Sequence, residues 1–246
     1  MSKFIERLKE VSQNPPKSIG FRTAKTEQSR PRIQLVANIQ GNKTKLTTKQ
    51  LSAADALILP APESDAGDIA YGVWLAHGSI KEVGQAAKAG ADFLILPTKG
   101  EILPQDNKLG KILQVEASIT DTLLRTANEL PVDAVLLSEG KESGLALTWQ
   151  RLMLIQRFSA LLNKPLLVEV ATDISSNELR LIWETGANGV IVTVSDEQTE
   201  VVLQNLRKVI NALPFPSRRK KDSTMALIPH VIPEAEEPEE DEEGDE

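Results

Sequence analysis

Three polar side chains fall on the same parity of short apolar runs, and that is where chemistry is expected. In residues 111–117, Leu113, Val115 and Ala117 share one face, which leaves Ile112, Gln114, Glu116 and Ser118 on the other. In residues 166–171 the same rule sets Leu166, Val168 and Val170 apart from Leu167, Glu169 and Ala171. In residues 33–39 it sets Gln34, Val36, Asn38 and Gln40 together. If the runs are strands around one interior, Glu116 and Glu169 lie roughly 10 Å apart along the sheet. Buried carboxyls shift toward values useful for proton transfer, so the pair reads as general base and general acid. A small substrate or one hard metal ion fits the gap. Lys99, just after another run, can neutralise one carboxylate or form an imine with a carbonyl. Asn38, Thr193 and His77 are expected to bind and orient the substrate. The bland alternatives are a solvated Lys99, an exposed His77, and glutamates satisfied by amides and water.

Composition narrows the classes. The 246 residues contain no cysteine and two histidines, which excludes disulfides, thiolate nucleophiles and a zinc site of ordinary composition. No dinucleotide glycine motif, phosphate loop or nucleophile-elbow serine is present, so no cofactor and no metal is assigned. The amphipathic N-terminus lacks a secretory apolar region, and no run is long enough to cross a bilayer; a cytoplasmic protein is expected. The net charge of −7 comes from the end of the chain. Residues 234–246 hold 10 acidic groups and no basic ones, and the remainder carries 28 basic against 25 acidic residues. The basic run 218–221 is too short to argue for nucleic acid.

Strands are expected at 33–39, 56–60, 70–76, 93–97, 111–117, 134–138, 166–171 and 189–194. Helices are expected at 3–11, 79–89, 120–130, 144–163, 175–185 and 196–212, with a weaker one at 47–54. Aromatic residues make up 4% of the chain, so the core must rest on Ile, Leu, Val and Ala. Asp55, Asp92, Asp133 and Asn188 each stand just before an apolar run, one at every second strand. A two-strand unit used four times suits an eight-stranded barrel. The connections at 61–69 and 98–110 are too short or too broken for ordinary helices. The fold class read here is an irregular eight-stranded parallel (β/α)8 barrel with helices missing after strands 2 and 4. A doubly wound sheet is the alternative. Residues 1–32 form an N-terminal helix and polar loop, 33–213 the barrel, and 214–246 a disordered tail.

Residues Pro165 to Val170, a helix, and then Gly186 to Val192 resemble the last quarter of aldolase-type phosphate-binding barrels, such as tryptophan synthase alpha subunits and indole-glycerol-phosphate synthases. The resemblance implies a barrel with its site at the C-terminal ends of the strands. It also implies a phosphate on glycine-rich turns after strands seven and eight, and neither turn has a glycine here. Ser175 with Glu178, and Ser195 with Gln198, have capping-box spacing, which uses the amide donors a phosphate needs. The reading is therefore an isomerase or lyase acting on an unphosphorylated carbonyl compound. The competing reading is an inactive barrel that recruits a protein partner through the apolar island 225–232. The apolar excess of helix 144–163 leaves a homodimer open.

Overall fold

A computed structural model describes residues 2–12, 33–40, 51–62, 69–101, 108–139, 145–195 and 199–213. The elements run α1 (Lys3–Ser12), β1 (Gln34–Ile39), β2 (Ala56–Leu59), β3 (Tyr71–Trp74), α2 (Ile80–Lys88), β4 (Phe93–Pro97), β5 (Gly110–Glu116), α3 (Asp121–Thr126), β6 (Ala134–Ser138), α4 (Trp149–Leu161), β7 (Leu166–Val170), α5 (Ser176–Thr185), β8 (Gly189–Val194) and α6 (Thr199–Ala212). All neighbouring strands pair in parallel, and β1 closes on β8 through Gln34 to Ile39 against Gly189 to Val194. The chain is a closed eight-stranded barrel, and the doubly wound alternative fails on that closure. Among the described residues no helix follows β2 or β4. Half of the expected helix at 47–54 and all of the tail from 214 lie outside the described residues. No helix among them is long and apolar enough to cross a membrane.

Strand alternation sorts the apolar residues into two layers. Leu35, Ala37, Leu94, Val135, Val168 and Val190 face the helices, and Val36, Ile58, Phe93, Ile112, Leu136 and Ile191 fill the barrel. The inner layer is continuous with Phe4, Ile5 and Leu8 of α1, so that helix closes the N-terminal end of the cylinder. The glycines that open β5 and β8 leave it room. A Cβ at Gly110 would fall 2.5 Å from Ile5, and one at Gly189 would fall 3.3 Å from Leu8. The Phe4 and Phe93 rings stack tilted, with centroids 4.7 Å apart.

The recurring Asp or Asn has a shared role. The backbone N–H of Asp55, Asp133 and Asn188 donates to the carbonyl of Leu35, Lys111 and Leu166, each at 2.8 Å. Their side chains accept the N–H of the same three residues, at 2.7, 3.1 and 2.9 Å. The residues that lead into β2, β6 and β8 thus each clamp the start of the odd strand before them. Asp92 makes the same backbone bond to Tyr71 but turns its carboxylate onto α1. It accepts from the Ser2 hydroxyl at 2.6 Å and from the amides of Lys3 and Phe4 at 2.8 and 2.9 Å.

Candidate functional site

Polar residues replace apolar ones where the inward faces of the strands reach the C-terminal end of the barrel. Asn38 and Thr193 are register partners on β1 and β8, and the Asn38 amide donates to the Thr193 hydroxyl at 3.1 Å. On the other side the Trp74 indole N–H donates to Gln114 at 3.0 Å, and the Gln114 amide donates to Ser138 at 3.0 Å. These bonds tie β3, β5 and β6 together above the apolar interior. They leave open a cavity of about 800 Å³ whose wall includes Asn38, Trp74, Gln114, Ser138, Glu169 and Thr193. That volume suits a small molecule, and the C-terminal mouth is where such barrels bind ligands.

Arg151, in the first turn of α4, lies on the cavity wall. Thr148 caps that turn by accepting from the Arg151 amide at 3.2 Å. The Arg151 side chain is only 4% exposed, and its Nε donates to Glu139 at 2.7 Å. Its two terminal nitrogens donate to the carbonyls of Leu145 and Glu169. The guanidinium therefore joins the end of β6, the start of α4 and the end of β7. A buried arginine is tolerated because a carboxylate and two carbonyls meet all three of its nitrogens.

Glu169 is half-buried, and among the described residues nothing hydrogen-bonds its carboxyl. Burial pushes that carboxyl above the ordinary carboxylate range, Arg151 pulls it back, and Glu139 pushes it further up. The side chain whose carboxyl is raised by burial thus borders the cavity.

Glu116 lies elsewhere. It ends β5 at the rim, is exposed, and accepts from the Ser118 hydroxyl at 3.4 Å. It lines a second, smaller cavity of about 380 Å³ together with Lys99. The two cavities adjoin along Gln114, Ser138 and Glu139, so Glu116 and Glu169 share a mouth without facing one space. His77 lines neither cavity. Its side chain is 85% exposed, with Nδ1 3.7 Å from Glu82. Asn38 and Thr193 come together, and Lys99 joins Glu116.

Sequence reasoning missed Arg151, Glu139 and Trp74. Arg151 carried a signal: Leu147, Arg151, Ile155 and Phe158 follow helical spacing, so a charge stands in an apolar stripe. Among the described residues no three His, Asp or Glu side chains gather as a metal-binding group.

The start of α5 carries a reciprocal capping box with a carboxylate in it. Ser175 accepts from the Glu178 amide at 3.3 Å, and Glu178 accepts from the Ser175 amide at 2.9 Å. These bonds from the Ser175 hydroxyl and amide hold the Glu178 carboxyl below its ordinary range. The corresponding pair Ser195 and Gln198 lies partly outside the described residues.

No family model and no curated protein sequence matches the chain. Solved structures do. A tryptophan synthase alpha-subunit variant from Pyrococcus furiosus superposes with a TM-score of 0.53 at 13% identity, covering 73% of this chain and 97% of that one. The 3-keto-L-gulonate-6-phosphate decarboxylase from Vibrio cholerae gives 0.54 at 14% identity, covering 74% and 98%. With its strands closed in parallel and its polar residues gathered at their C-terminal ends, this chain has the fold of the aldolase-type (β/α)8 barrels.

Proposed function

We propose that the chain is a small-molecule enzyme of isomerase or lyase type that moves a proton on an unphosphorylated carbonyl compound at the C-terminal mouth. One observation carries this reading: the half-buried carboxyl of Glu169, raised by burial and without a hydrogen bond among the described residues, borders a cavity of about 800 Å³ beside Asn38 and Thr193. The fold neighbours, a tryptophan synthase alpha subunit and a decarboxylase by name, are compatible with that class. They carry the fold alone.

As carboxylate, Glu169 takes a proton from the carbon beside the substrate carbonyl. The C–H electron pair passes to the carbonyl oxygen, which the Asn38 amide and the Thr193 hydroxyl meet. Delivered to the neighbouring carbon of the resulting enediol, while the hydroxyl proton crosses between the two oxygens, the same proton completes an isomerisation. Arg151 acts as a positioning residue: its bond to the Glu169 carbonyl sets where that strand ends. Glu116 and Lys99 receive the far end of the substrate in the adjoining cavity.

Proton exchange tests this directly. Small hydroxy-aldehydes and hydroxy-ketones incubated with the protein in heavy water should gain deuterium beside the carbonyl, followed by proton NMR. Glu169→Gln should slow the exchange by about 100-fold or more. Exchange that survives this change intact would remove Glu169 from the chemistry. Ligand binding with no exchange in the native protein would leave a binding barrel and not an enzyme.

A further inference from the structure

The larger cavity also carries information about the charge and shape of what enters it. Its cation, Arg151, spends three of its five N–H groups on Glu139 and two backbone carbonyls, and its charge is paired with the Glu139 carboxylate. Two carboxylates, Glu139 and Glu169, stand on the same wall. The start of α5, which follows β7, is filled by the Ser175 and Glu178 capping box. Among the described residues of this wall an anionic group meets no unpaired cation and one or two like charges, and Lys99 stands beside Glu116 in the adjoining cavity.

The remaining polar lining is of a different kind. Asn38, Gln40, Gln114, Ser138 and Thr193 are amides and hydroxyls, each able both to donate and to accept. They form a belt around the cavity and not a single cluster, and Trp74, Leu59 and Pro60 supply apolar surface between them. The Trp74 indole N–H is spent on Gln114, so that ring is fixed in place and offers carbon surface. Groups that both give and take hydrogen bonds, alternating with apolar faces, match a molecule with a hydroxyl on each carbon and C–H faces between. Arg151 offsets the Glu139 carboxylate, and burial favours the neutral form of Glu169, so the pull on a cation is weakened.

We infer that the ligand of this cavity is a neutral polyhydroxylated compound, an unphosphorylated sugar or polyol, and that the cavity discriminates against phosphate esters and carboxylates. This deepens the functional reading above and rests on the same cavity, but it concerns binding and not proton transfer.

The test is calorimetric titration of the full-length protein with glucose, ribose, ribulose and ribitol, each beside its terminal phosphate monoester, and with gluconate. At least one neutral compound should bind, about tenfold or more tighter than its phosphate ester. Glu169→Gln, which removes a like charge, should narrow that ratio, and Asn38→Ala should weaken the neutral compound. A phosphate ester or gluconate that binds more tightly than every neutral compound overturns the inference. So does a panel in which no neutral compound binds at millimolar concentration. Sugar binding without deuterium exchange sinks the enzymatic reading and leaves this one standing. Exchange on a phosphate ester that binds best overturns this inference and the unphosphorylated substrate, and leaves only the proton transfer at Glu169 standing.

Discussion

Glu169 is the residue at which stability and chemistry oppose each other. Its carboxyl is raised by burial, so the folded chain holds that proton more firmly than the unfolded chain does. The stability this contributes is complete below the unfolded value and is lost as pH rises through the folded one. Glu169→Gln keeps the shape without the titration. Relative to that variant, the native protein should lose stability as pH rises from about 4 to about 8, read from urea midpoints. A gap that stays constant over this range would mean that no charge is being buried there. Arg151 gives the complementary case. Arg151→Met removes a cation paired with Glu139, which is 15% exposed on its side chain, and takes the donor from two backbone carbonyls; it should cost about 3–5 kcal/mol in denaturant unfolding. Pairing it with Glu139→Gln should recover part of that loss, because the carboxylate that Arg151 neutralised is then gone.

At the scale of elements, the recurring Asp and Asn make distinct predictions. Asn188→Ala leaves the buried Leu166 amide without its acceptor and should cost about 1–3 kcal/mol, with faster hydrogen exchange at that amide. Asp92→Ala should cost about 1 kcal/mol and loosen α1 in place of β3, because this carboxylate caps the helix and not the strand. Equal exchange effects at β3 and α1 would contradict that division of roles. Strands were legible to within one or two residues, since each is a bounded apolar run. Helix ends were less so. The expected helix at 144–163 is α4, Trp149–Leu161, because Thr148 caps its start and Leu162 is already extended. Its apolar excess is divided: Leu152, Ile155 and Phe158 are buried, while Trp149 and Met153 remain 82% and 71% exposed. Changing both of these to Ser should move stability by no more than about 0.5 kcal/mol in the monomer, whereas a solution mass of twice 26.9 kDa that this change halves would assign the face to a dimer.

At the scale of the whole molecule, the barrel is closed at one end by its own first helix and open at the other. Phe4→Ala removes a fully buried ring that stacks on Phe93 and should cost about 3–5 kcal/mol. The cavity at the far end should keep its ligands in that variant, provided titration is done below its melting temperature. The sequence by itself determined the eight strands and their inward faces, because period-two alternation is a local property of the chain. It also determined the capping box that takes the amides of the α5 start. Tertiary structure alone decided that Glu116 and Glu169 face different cavities and that His77 faces neither. It alone brought Arg151 to the end of β7. Those outcomes depend on how far each strand reaches around a tilted cylinder and on which partner meets a buried charge. Neither quantity is written in the spacing of residues along one strand.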